Sequence, residues 1–234
     1  MNVLAIGCHP DDLEIACGGT LAKYARNGDK VFMCHIANGS MGHKVIEPED
    51  LKEIRRREAQ KAASILGAES LTMDVDDFVV DNFDENAQDS LIDIIRYAKP
   101  DIIITHNTQD YMRDHMQTSE FAFSASFSAT APHRRTRLPY FDSIAPMFYM
   151  DTLAGIGFEP TEYVDISGTI DLKLEALSCH ESQIRWMKEH DHIDFLDFVE
   201  TCSKFRGFQC GAAYAEGFRP SHNWPRMVPY RLLP

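Results

Sequence analysis

Short apolar runs alternate with longer segments of helical spacing through the first hundred residues, and no other feature restricts the fold so tightly. Val3 to Cys8, Lys30 to Ile36 and Asp101 to Thr105 each read as a buried strand, with a weaker one from Ser70 to Val75. Between them, Thr20 to Arg26 has helical spacing up to Asn27-Gly28, Glu49 to Leu66 is stopped by Gly67, and Asn86 to Tyr97 is closed by Pro100. Strands that alternate with helices run parallel, because each helix carries the chain back to the end of the sheet where the previous strand began. Beyond the fourth strand, Ser119 to Ser128 reads as helix and Ile144 to Met150 and Tyr163 to Ile166 as extended. Ile170 to Met187 and Phe195 to Phe205 read as helices.

The expected fold class is therefore α/β: a Rossmann-like, mostly parallel sheet of order 3-2-1-4 with later strands beyond it, flanked by helices. A length of 234 residues suits one domain over 1–234, with residues 220–234, which hold four prolines and Trp224, as a C-terminal tail. That tail either hugs the surface or contacts a neighbouring subunit of a homo-oligomer. With 23 basic against 36 acidic residues the net charge is −13, which disfavours nucleic acid and anionic membrane and points to small-molecule partners. The basic clusters Arg55-Arg56-Arg57 and Arg134-Arg135-Arg137 read as solvated faces. Six scattered cysteines without C-x-x-C spacing, no stretch of membrane-spanning length and a start too short for a signal peptide suggest the cytoplasm.

Where the first apolar run stops, the chain reads Gly7-Cys8-His9-Pro10-Asp11-Asp12-Leu13-Glu14. One reading makes His9 and Asp12 ligands of a divalent metal with Asp11 beside them to work on water; the other is an ordinary helix start, which also favours proline and aspartate. In a 3-2-1-4 sheet the first and fourth strands are neighbours, and ligands bind outside their carboxyl ends at the switch point. The fourth strand is followed by the other dense polar segment, His106 to His115, so topology brings the two clusters together and favours the metal. A dinucleotide site would need G-x-G-x-x-G at the first turn, where the two aspartates would instead repel a pyrophosphate. His9, Asp12 and His115 would make two imidazoles and a carboxylate, the ligand count of a catalytic zinc site that leaves a position for water. Adjacent side chains diverge, so Asp11 is separate from Asp12 and is the natural general base.

These residues resemble the LmbE-like, or PIG-L, family of metal-dependent N-acetylglucosaminyl deacetylases, whose signature is H-P-D-D-E-x. The resemblance starts at His9 to Glu14 with Gly18-Gly19-Thr20 and recurs at Arg55 to Glu58, Asp110 to His115, Glu181-Ser182-Gln183 and Tyr214 to Phe218, in order along nearly the whole chain. It implies a hydrolase that removes an acetyl group from an N-acetylglucosamine-type amino sugar or its glycoside. His9, Asp12 and His115 would bind Zn2+, with Fe2+ or another divalent ion as the alternative. Asp11 would be the base, and Arg55 would reach the substrate.

One position departs from the family: its second motif commonly reads H-x-D-H, with the aspartate orienting a first histidine that stabilises the oxyanion. Here that histidine is Met112, and a thioether donates no hydrogen bond. His106, Tyr111, Arg113, His190, His192 and His222 are the substitutes the sequence offers, and Asp114 is expected to orient His115 or one of these. His190-Asp191-His192 by itself reads as a solvated loop, and His35, His43, His133 and His180 show no partner.

Overall fold

The computed structural model describes residues 1–234, and the expected alternation becomes one seven-stranded sheet. β1 (Asn2–Gly7), β2 (Lys30–Ala37), β3 (Ala68–Val75), β4 (Ile102–Thr105) and β5 (Met147–Met150) run parallel. β6 (Glu162–Asp165) and β7 (Ala215–Pro220) complete it, with β7 antiparallel to both β5 and β6. The order is β3-β2-β1-β4-β5-β7-β6, which includes the expected 3-2-1-4.

Both faces of the sheet are covered. Val3 and Ala5 of β1 pack with Leu21, Met33, Leu66 and Ile166 beneath α1 (Asp12–Arg26), α2 (Pro48–Leu66) and α5 (Ile170–Ser178). Leu4 and Ile6 point the other way, to Phe32, Leu91, Ile95 and Phe121 beneath α3 (Glu85–Ala98) and α4 (Arg113–Ser128). A central parallel strand buried on both faces needs a continuous apolar run, and that is why β1, β2 and β4 are plain in the sequence.

Four differences from the sequence reading have physical causes. α1 starts at Asp12, not Thr20, because its first half is buried nearly all round and so shows no amphipathic stripe. Its middle is tied to the sheet: Glu216 of β7 accepts from the backbone N–H groups of Gly19 (2.9 Å) and Thr20 (2.7 Å), and Lys173 of α5 bridges Glu216 (2.6 Å) and the Ile15 carbonyl (2.7 Å). A Cβ on Gly19 would lie 2.8 Å from Ile166, so this close packing requires glycine. β7 itself was expected only as a motif, because Glu216, Gly217 and Pro220 hide its alternation.

α4 starts at Arg113, six residues before the expected Ser119, with Met112 at its N-cap. The single helix expected over 170–187 breaks at His180, where φ and ψ are −82° and 58°. The break buries His180 against Glu14, at 3.2 Å, and turns α6 (Glu181–Trp186) towards the strand ends. α7 (Phe195–Cys210) follows. At the C-terminus, Leu232 and Leu233 are buried in the core that contains Val3, and the Tyr24 hydroxyl donates to the Leu232 carbonyl at 2.9 Å.

Candidate active site

Three strand-end segments meet at a cavity of about 480 Å³. His9, Asp11 and Asp12 arrive from the β1–α1 turn, His106 to His115 from the β4–α4 segment, and Asp77 and Phe78 from the loop after β3. Asp77 holds the loop after β2 in place, accepting from the N–H groups of Gly39 (2.8 Å) and Met41 (2.9 Å). Trp186 and Gln183 of α6 and Leu153 add the far wall.

Asp12 is the centre of the ionisable cluster. Its Oδ2 is 3.4 Å from Nδ1 of His9, and its Oδ1 is 3.4 Å from Nε2 of His115. Ligand bonds of about 2.0–2.1 Å in a tetrahedral zinc site put neighbouring donor atoms about 3.3 Å apart, which is close to the spacing of each imidazole from Asp12. The remaining ring nitrogen of each histidine faces another carboxylate: Nδ1 of His115 lies 3.1 Å from Oδ1 of Asp110, and Nε2 of His9 lies 3.6 Å from Oδ2 of Asp114. Metal-ligating histidines are held in this way, with the outer nitrogen on a carboxylate. Ligand atoms within 4.8 Å of one another form two groups that share Asp12, one with Cys8 and His9 and one with His106 and His115, so a divalent ion held by His9, Asp12 and His115 would draw on both.

The local electrostatics favour positive charge here. Burial works against a charged imidazole, but Cys8, Asp114 and Asp12 hold His9 well above the usual histidine value, and Asp12 and Asp110 raise His115. Burial likewise opposes the Asp12 carboxylate, yet His115 and His106 keep it well below the ordinary range. Two further groups come close to the same donors. His106 stacks on His115 with ring centroids 4.1 Å apart, and its Nε2 lies 3.3 Å from Oδ2 of Asp12 while it accepts the Cys8 backbone N–H at 2.9 Å. Cys8 Sγ is 3.7 Å from Nε2 of His9, and burial pushes its thiol up, away from the thiolate that binds metal.

Asp11 stands apart from this group, as expected of adjacent residues. It is 5% exposed and adopts φ +117°, a backbone region that few residues other than glycine enter and that tends to occur at functional sites. Burial raises its carboxyl to about 6, against the pull of Arg55. Arg55 is 3% exposed, unlike the outward-facing Arg56 and Arg57, so the solvated-cluster reading fails at this residue. Its guanidinium lies 3.3 Å from Asp11 and donates to the carbonyls of Pro10 and Gly39. It lines the cavity, where these bonds make it a brace for the turn that carries the base.

The other site expectations separate in the same way. Asp114 does not line the cavity and faces His9, while accepting the Phe78 N–H at 2.7 Å. The carboxylate that meets His115 is Asp110, a role the sequence reading missed; its position five residues before His115, in the turn leading to the helix, was the available signal. Met112 lines the cavity, as do His106 and Tyr111, whereas Arg113, His190, His192 and His222 do not. Tyr111 stands edge-on to His115, with centroids 5.7 Å apart. Glu181 to Gln183 and Arg55 to Glu58 meet each other: Glu58 accepts from the N–H (2.9 Å) and hydroxyl (2.6 Å) of Ser182.

Together these features define an α/β protein with candidate metal-ligand side chains at the switch point of its sheet. The chain belongs to the PIG-L family, GlcNAc-PI de-N-acetylase, which matches residues 4–126. It is 27% identical over 232 residues to the diacetylchitobiose deacetylase of Thermococcus kodakarensis, covering 93% of this chain and 82% of that one. It is 24% identical over 192 residues to the 4-oxalmesaconate hydratase of Pseudomonas putida, covering 78% and 74%. The solved N,N'-diacetylchitobiose deacetylase of Pyrococcus horikoshii matches with a TM-score of 0.80 at 26% identity, over 94% of this chain and 83% of that one. No helix is long and apolar enough to cross a membrane.

Proposed function

We propose that this protein is a zinc-dependent N-deacetylase that removes the acetyl group from an N-acetylglucosamine-type amino sugar or its glycoside. The observation that carries the reading is the pair of imidazole nitrogens, each 3.4 Å from one Asp12 carboxylate, with the separate buried carboxyl of Asp11 on the same cavity. Family membership and the deacetylase relatives supply the acyl-amine substrate. Free cysteines throughout suit a reducing cytoplasm.

His9, Asp12 and His115 would hold the ion, with Asp110 and Asp114 fixing the two rings. The ion, when bound, supplies Lewis acidity that polarises the acyl carbonyl and makes water acidic enough to lose a proton near neutral pH. Asp11 accepts that proton as water attacks and returns it to the nitrogen as the carbon–nitrogen bond breaks, giving acetate and the free amine. Burial raises this carboxyl, which favours holding the proton, and a bound cation would lower it, which favours giving the proton up. Arg55 keeps the Asp11 carboxylate aimed at the cavity. Tyr111 is the cavity-lining hydroxyl that remains to donate to the developing oxyanion, since Met112 cannot.

The test is metal analysis combined with deacetylation of N-acetylglucosamine glycosides by wild type and Asp11→Asn. The expected result is stoichiometric metal in both, and a fall in turnover of about 10²–10⁴-fold in the variant. Protein that holds no stoichiometric metal, with Asp11→Asn turning over like wild type, overturns the mechanism.

A further inference from the structure

The cavity is rich in carboxylates and has no cation free to meet an anion. Asp11, Asp12, Asp77, Asp110, Asp151 and Asp191 line it, against a single arginine, Arg55, and the rings of His9, His106 and His115, each of which is within 3.4 Å of Asp12. Arg55 is buried and committed to Asp11 and to two backbone carbonyls. Among the six aspartates Asp151 is neutralised from outside the lining by Arg206, at 2.6 and 3.0 Å, and Asp191 lies 2.9 Å from Nδ1 of His190. Lys44 does not line the cavity; its ammonium sits 6.0 Å above the Trp186 ring and donates to the Glu189 carbonyl at 3.4 Å.

A divalent ion on His9, Asp12 and His115 does not reverse this balance. Together with Arg55 it brings three positive charges against Asp11, Asp12, Asp77 and Asp110, the four aspartates without an ionic partner outside the lining. The net charge of −13 over the whole chain adds to the repulsion of any approaching anion. The wall also includes Phe78, Tyr111 and Trp186, whose flat faces stand among hydrogen-bond acceptors and suit a sugar ring with C–H faces and hydroxyl donors.

We propose that this cavity selects N-acyl amino sugars whose remaining part is uncharged or cationic and rejects those that carry carboxylate or phosphate. The inference rests on the deacetylase reading and sharpens it to a substrate class. A carboxylate substrate of the kind named for the Pseudomonas relative would enter this cavity without a counter-charge.

The test uses the metal-loaded protein and three glycosides of N-acetylglucosamine that differ only in the second group: neutral N-acetylglucosamine, cationic glucosamine and dianionic malate. Hydrolysis and calorimetric binding are measured at 20 and 500 mM salt. At low salt the malate glycoside is expected to show a kcat/KM at least about tenfold below the neutral one, with the gap closing at high salt as the field is screened. Asp191→Lys, at the exposed edge of the cavity, narrows the same ratio at low salt. Equal or better use of the malate glycoside at 20 mM, or a gap insensitive to salt and to Asp191→Lys, overturns the proposal. If none of the three is hydrolysed the deacetylase reading fails, and the binding order neutral and cationic above anionic still decides charge selection. Binding of none of them, or of the malate glycoside most tightly, rejects it.

Discussion

Lys173 and Glu216 form a buried ion pair that stitches three elements together, and its removal gives a sharp test of how α1 is held. Their side chains are 1% and 2% exposed and 2.6 Å apart, and all their other bonds go to the backbone of α1, at Ile15, Gly19 and Thr20. Glu216→Leu leaves an ammonium in the core without its counter-charge, and Lys173→Met leaves a carboxylate there. Breaking a buried pair from one side costs about 3–5 kcal/mol, a large part of a total stability of about 5–15 kcal/mol. With a urea dependence of about 2–3 kcal/mol/M, each single change lowers the unfolding midpoint by roughly 1–2.5 M.

The double variant behaves differently. With both charges gone, the Gly19 and Thr20 N–H groups have the carbonyls of Ile15 and Ala16 within their own helix, and two apolar side chains fill the space. The pair is therefore expected to be strongly non-additive: the double variant lies within about 2 kcal/mol of wild type, and the coupling is about 4 kcal/mol or more. Urea denaturation of the four proteins, followed by circular dichroism, measures each term. Additive losses, within about 0.5 kcal/mol, or a cost below about 1 kcal/mol for Glu216→Leu alone, would refute the reasoning.

Three further outcomes bear on the site. Met112→His supplies an oxyanion donor next to the cavity and is expected to raise deacetylation by up to about 10²-fold, from a term of about 3 kcal/mol; an unchanged or lower rate with metal content intact counts against that role. Gly39 has φ +74°, and a Cβ there would lie 2.5 Å from the Arg55 guanidinium, so Gly39→Ala displaces Arg55 from Asp11. Its kcat should fall while bound metal, read by elemental analysis, stays at wild-type level. The pH profile should lose activity on the acid side, because Asp11 must be ionised to accept a proton: its carboxyl is raised to about 6, and a cation on Asp12 moves the limb down from there towards the ordinary carboxylate range. Activity that persists below that range, or an unchanged limb in the residual activity of Asp11→Asn, removes Asp11 from the role of base.

What the sequence made plain was whatever the chain decides locally. The continuous apolar runs of β1, β2 and β4 announce strands buried on both faces, and the switch point then follows from strand order alone. β3 was weak because, as an edge strand, it is only partly buried. β7 was hidden because Glu216 takes its meaning from Lys173 and from Gly19, which is 197 positions away. The break at His180 was hidden for the same reason, since its partner Glu14 lies in α1. Arg55 looked like part of a solvated basic cluster because nothing in Arg55-Arg56-Arg57 says which of the three faces inward.

The exchange of roles between Asp110 and Asp114 follows from a rule the sequence already supplied. Neighbouring side chains on a helix point about 100° apart and do not face each other. That rule separates Asp114 from His115 in the first turn of α4, whereas Asp11, just before α1 with φ +117°, is parted from Asp12 by its own backbone turn. Asp114 turns to His9 across the cleft, while Asp110, in the turn before the helix, folds back under the His115 ring and also accepts the Met112 N–H at 3.0 Å. Each candidate ligand histidine thus takes its orientation from a carboxylate in the segment after β4. The two strand ends act as one site because the second supplies the orientation for a donor on the first. Met112 fits the same arrangement: its backbone is held by the Asp110 carboxylate that holds His115, so a histidine placed there would start from a fixed position beside the ion-binding group.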